Sequence, residues 1–179
     1  KSGTMAGGSE IHVRGLNKHG ARNTNITLSD GSDTANNGSM TFNTTNGAVA
    51  INEESATVWT GTNTADSLTL VSTDSVTDAA GTSLTIDNGN ASITGTSISL
   101  ADNNTDVLSV SSGTAILDAG AGAITVEDDG AANFGSLTFN TTNGAVAINE
   151  DSATVLTGTN TADSLALVSG GNITQTGAV

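Results

Sequence analysis

Beyond residue 22 the only ionisable side chains in this sequence are carboxylates, so any chemistry in that stretch begins with them. Three adjacent pairs stand out: Glu53/Glu54, Asp128/Asp129 and Glu150/Asp151. Paired carboxylates flanking a sugar bond do the acid and base work of glycoside hydrolysis. Neighbours on a strand, however, point to opposite faces and rarely address one substrate. Glu53/Glu54 and Glu150/Asp151 also hold matching places in a duplicated unit, which is odd for an active site. All three pairs are read as solvated turn residues. No cation after Arg22 is present to stabilise a developing negative charge, and few rings could stack a sugar. The expectation is no catalytic residue and no enzyme.

Carboxylates also bind hard cations. Asp102 and Asp106, with Glu127, Asp128 and Asp129, are the calcium candidates, and Asp30/Asp33 form a looser pair. The glycine-aspartate nonapeptide that holds calcium between coils of toxin-type β-rolls is absent. No other cofactor is expected. His12 and His19 with Glu10 make too small a ligand set for a metal and are read as exposed. Threonines spaced by two, at Thr60/Thr62/Thr64, Thr94/Thr96, Thr157/Thr159/Thr161 and Thr174/Thr176, suggest an ice-binding lattice. They recur too irregularly for one, and strand propensity accounts for them. Trp59, the single tryptophan, is expected in the core. Asn25, Asn37 and Asn43 match glycosylation acceptors and are read as ordinary turn residues.

These groups sit in an unusual background. The 179 residues hold no Cys, Pro or Tyr, three Phe and 22 Gly, so a compact core built on large rings is excluded. A hydrophobic share of 35% is more than a disordered polar tract carries. A thin core threaded through many turns reconciles the two. Charge is segregated. Residues 1–22 carry four cations and one acid, +3, while residues 23–179 carry 17 acids and no cation, −17. Such a body repels phosphate, so no nucleic-acid partner is expected. No apolar run reaches the roughly 18 residues of a membrane span. The start lacks a signal-peptide pattern, so the chain is read as a fragment whose export signal lies upstream.

Position is set by a repeat. Residues 38–72 and 135–169 match at 31 of 35 positions, and differ only at Met40/Leu137, Glu54/Asp151, Trp59/Leu156 and Thr69/Ala166. That is the mark of recent duplication. A shorter rhythm of apolar–small–apolar triplets runs throughout, as at Val49-Ala50-Ile51, Leu84-Thr85-Ile86 and Ile124-Thr125-Val126. This is the period of a strand with one buried face. Turn signals such as Asn46-Gly47, Gly89-Asn90 and Asn143-Gly144 separate them. Strands of three to five residues are short for a sandwich. The expectation is an all-β, right-handed parallel β-helix (β-solenoid) of about seven short coils, roughly 20 to 25 residues each. The solenoid body covers 25–179, and 1–24 is a basic leader, either flexible or an assembly contact.

Residues 137–149 (LTFNTTNGAVAIN) and 165–177 (LALVSGGNITQTG) resemble repeats of giant filamentous-haemagglutinin-like bacterial exoproteins. The resemblance covers about 25–179 and rests on repeat style. It implies a β-helix exported to the cell surface and used for adhesion or biofilm. The expected role is therefore a structural and adhesive rod segment, extracellular, with surface glycans or host cells as candidate partners. The alternative is a carbohydrate-active β-helix, a tailspike-like glycosidase or lyase. The chain itself is the other expected partner: a cationic leader bearing Arg14, Lys18 and Arg22 would dock onto the acidic body of a neighbouring copy, end to end or laterally.

Overall fold

A computed structural model describes residues 15–21, 25–28, 35–126 and 129–176. Among these residues every strand pairing is parallel and no helix occurs. The chain forms a parallel β-solenoid, as its triplets and turns predict.

Three columns of strands wrap the axis. The first stacks β2 (Ile26–Leu28), β4 (Ala48–Glu53), β7 (Ser67–Ser72), β10 (Ala91–Thr94), the latter parts of β12 (Val107–Asp118) and β14 (Ala131–Asn140), β16 (Thr154–Thr157) and β18 (Ile173–Thr176). The second begins with β1 (Gly15–Ala21) and β3 (Gly38–Thr44). It continues through β5 (Thr57–Trp59), β8 (Val76–Asp78), β11 (Ile98–Leu100), β13 (Ile124–Val126), β15 (Ala145–Glu150) and β17 (Ser164–Ser169). The third runs from the end of β3 through β6 (Thr62–Ala65) and β9 (Ser83–Ile86) to the first parts of β12 and β14.

Register along the first column leads from Ile26 through Val49, Leu68, Ala91, Ala115, Leu137 and Leu156 to Gln175. The coils are unequal in length: the step from Val49 to Leu68 takes fewer residues than the step from Leu68 to Ala91. Seven steps at about 4.8 Å each give a stack about 34 Å long. Part of the expected leader belongs to it, because residues 15–21 are β1 and pair with β3 over their whole length.

Apolar side chains at alternate positions face the axis and lie on one another. Ile51, Leu70, Ile93, Leu117 and Phe139 make one such ladder, and each is buried. Trp59 is fully buried and meets Phe42 edge to face, with ring centroids 6.5 Å apart. Outward hydroxyls form rungs of their own: Thr41 Oγ1 donates to the Thr60 carbonyl at 2.7 Å, and Thr138 does the same to Thr157 at 2.8 Å.

One expectation is corrected. Strands are not uniformly short: β12 has 12 residues and β14 has ten, because each runs round a corner between two columns. The register of β12 on β14 shifts at that corner, between Val110 and Thr114. Gly113 sits there, and a Cβ on it would collide with the Gly89 carbonyl one coil below. The duplication is not a whole number of coils. Five register steps from Val49 lead to Leu156, whereas the duplicated sequence matches Val49 with Val146, part of a coil earlier. Ile51 therefore lies in the first column while its counterpart Ile148 lies in the second. Met40 and Leu137 make the opposite exchange.

Candidate functional site

Asp102 and Asp106, two of the calcium candidates, come together with a third carboxylate that spacing did not reveal. Asp78, Asp102 and Asp106 present oxygens within 4.8 Å of one another. Asp78 ends β8 at an inward register position, directly on Trp59 of β5. Where the other coils place Met40, Trp59, Leu100, Val126 and Ile148, this coil places an acid. Asp102 and Asp106 belong to the turn between β11 and β12, one coil further along.

Each carboxylate has its own surroundings. Asp106 is buried, and its Oδ1 accepts from the Gly81 and Thr82 amides at 2.7 and 3.0 Å, its Oδ2 from the Asn103 amide at 3.1 Å. It ties the β8–β9 turn to its own turn. Asp102 is exposed and accepts from the Asn103 side-chain amide at 2.6 Å. Asp78 is partly buried; its Oδ2 accepts from the Ala101 amide at 3.0 Å, and its buried Oδ1 has no hydrogen-bond partner. Ala101 holds φ at 58°, a left-handed conformation unusual for a residue with a side chain, and this turn aims its N–H at Asp78. Burial pushes the Asp78 carboxyl up from 3.8 to about 6. The Ala101 hydrogen bond opposes that rise, and the charges of Asp106 and Asp102 add to it.

Such a set favours a proton on Asp78. Calcium takes six to eight oxygens, and three amides already occupy Asp106. Of the remaining calcium candidates, Asp129 is exposed, while Glu127, Asp128, Asp30 and Asp33 lie outside the described residues. So do Glu10, His12, Arg14 and Arg22, whereas Lys18 and His19 fall within β1.

The adjacent acids require a further correction. Glu53 and Glu150 are not solvated turn residues; both end strands and are 1% exposed, while Glu54 and Asp151 are exposed as expected. Alternation on the strand separates each pair. Glu53 accepts from the Asn37 backbone and side-chain amides at 2.9 and 2.7 Å and from Ser55 Oγ at 2.9 Å. Asn37 is accordingly a buried capping residue, not a surface turn. Glu150 accepts from the Phe134 amide, Ser152 Oγ and Thr154 Oγ1 at 3.0, 2.9 and 2.6 Å. Both carboxylates close the gap where one coil passes to the next, a structural task. Comparison with protein-family models found no match, and neither did comparisons with curated proteins and with solved structures.

Proposed function

We propose that this chain is a structural and adhesive rod segment of a large secreted bacterial surface protein, and that it acts by extension and surface presentation. The observation that carries this reading is the uninterrupted parallel stack, in which seven register steps build length around one thin core. Its sides present short polar groups, among them the Thr41–Thr60 and Thr138–Thr157 rungs. Repetition of such weak contacts along a surface multiplies their effect. The tailspike-like alternative asks for exposed rings and facing carboxylates. Phe42, Trp59, Phe134 and Phe139, the only Phe and Trp residues, are all buried, and Glu53 and Glu150 are engaged within the fold.

Beads coated with the chain provide the test, offered to cells and to a glycan array at increasing coating density. Binding that climbs steeply with density is expected. Binding to one soluble oligosaccharide with turnover supports the enzyme instead, and none at any density leaves extension alone and removes adhesion.

A further inference from the structure

Two buried polar atoms that lack hydrogen-bond partners belong to residues stacked on one another in the core. Trp59 Nε1 is on β5 and Asp78 Oδ1 on β8, and the two residues are in direct register. Trp59 is 0% exposed, so its N–H is sealed from solvent. Thr57 Oγ1, two residues back on β5, is buried and unpartnered too. A donor and an acceptor left unpaired on neighbouring residues call for water, which can serve both. The turn between β11 and β12 lies against Asp78. Ala101 at its start and Asp106 at its end are buried, and residues 102–105 between them are exposed. Asp106 is pinned by the Gly81 and Thr82 amides, whereas Ala101 ties the near end to Asp78, its N–H on Oδ2 at 3.0 Å.

We propose that this turn is a proton-operated lid: it lies shut on Asp78 while that carboxyl is uncharged, and lifts when Asp78 ionises, admitting water to Asp78 and to Trp59 beneath it. The lid does not depend on the rod reading. Charge decides the direction. Among the described residues the charged groups that face Asp78 are Asp102 and Asp106, both carried by the turn. β5 below brings Thr57 and Trp59, β11 above brings Ile98, Ser99 and Leu100, and the β8–β9 turn runs from Ala79 to Thr82, all without charge. Nothing on these elements offsets a negative Asp78. Ionisation would set three carboxylates, with oxygens within 4.8 Å of one another, in a partly buried place, and entry of water relieves it. The Ala101 hydrogen bond favours the charged form, but burial outweighs it, which is why the Asp78 carboxyl lies at about 6. Shut below that value and open above it, the lid tightens the middle of the stack in acid and loosens it in neutral surroundings.

Trp59 is the only tryptophan, so acrylamide quenching of its fluorescence in the whole chain reads the lid. Quenching should be weak and constant in acid and rise about threefold or more as pH passes about 6, while far-ultraviolet dichroism holds steady. Over the same range the protection of the Ala101 amide against hydrogen exchange should fall about tenfold or more. Asp78→Asn, which keeps the shape and removes the charge, should stay resistant to quenching and keep Ala101 protected at neutral pH. Quenching that never changes in a folded chain overturns the lid, and an unchanged rise in Asp78→Asn overturns Asp78 as its trigger. Loss of dichroism together with the rise means melting of the whole stack and overturns a local opening. A rise that follows addition of a chelator and ignores pH overturns the proton and makes the closing group a metal ion.

Discussion

Thr57 and Thr154 hold matching places in the duplicated unit, yet their hydroxyls meet different fates. Thr154 Oγ1 donates to Glu150, while Thr57 Oγ1 is buried with no partner. The cause lies outside the repeat: Asn37 supplies a side-chain amide to Glu53 that Phe134, at the matching place upstream of Glu150, cannot supply. A buried hydroxyl without a partner destabilises, and one engaged with a carboxylate stabilises. Thr57→Val should therefore raise stability by about 1 kcal/mol and Thr154→Val lower it by about 1–2 kcal/mol, read from denaturant midpoints of the two variants. Equal effects would contradict the hydrogen-bond assignment. Asp78 gives a second residue-scale expectation. Its folded value, about 6, exceeds its ordinary 3.8, so the folded chain holds a proton that the unfolded chain releases. The stability this contributes is complete below about pH 4 and is lost as pH rises through about 6. Asp78→Asn should melt higher than wild type at pH 7 and should lose that advantage near pH 4. Exposed Asp74→Asn serves as the control for general charge repulsion. Trp59, in register with Asp78, provides a spectroscopic check: its fluorescence should titrate with a midpoint of about 6 in wild type only.

Elements show how much was written in the triplets. Ile26–Leu28, Val49–Ile51, Leu68–Leu70, Leu84–Ile86, Ile98–Leu100 and Ile124–Val126 all lie in strands and face the core at alternate positions, because alternation alone decides which side is buried. The Asp78 cluster was not legible. Asp78 sits one coil before Asp102, and coils of unequal length hide which side chains become vertical neighbours. Glu53 and Glu150 were misread for a related reason: acids are rarely buried unless paired, and their partners Asn37 and Phe134 lie on the preceding pass of the chain. Corners impose a separate constraint. Gly89, Gly113 and Gly135 stack at one corner, where the Gly89 carbonyl abuts Gly113 and the Gly113 carbonyl abuts Gly135. Gly113→Ala should cost about 1–3 kcal/mol, measured by urea unfolding, while Gly120→Ala meets no atom within 4 Å and tests the φ of 57° alone.

For the whole molecule, each coil touches only its neighbours, so stability is a sum along the axis and ends are weaker than the middle. Hydrogen exchange at dilution should release β16 to β18 first and hold β9 to β13 longest, where inward residues such as Ile86, Ile98 and Ile124 are almost wholly buried. Uniform protection from end to end would argue against a stack of this kind. A single hidden asymmetry, the fractional-coil offset between the twin tracts, carries a last implication. The same tract forms strands in different columns in its two copies, so its alternation of apolar and polar residues does not tie it to one side of the axis. The length of the stack then follows the number of tracts, without the slow accumulation of point substitutions.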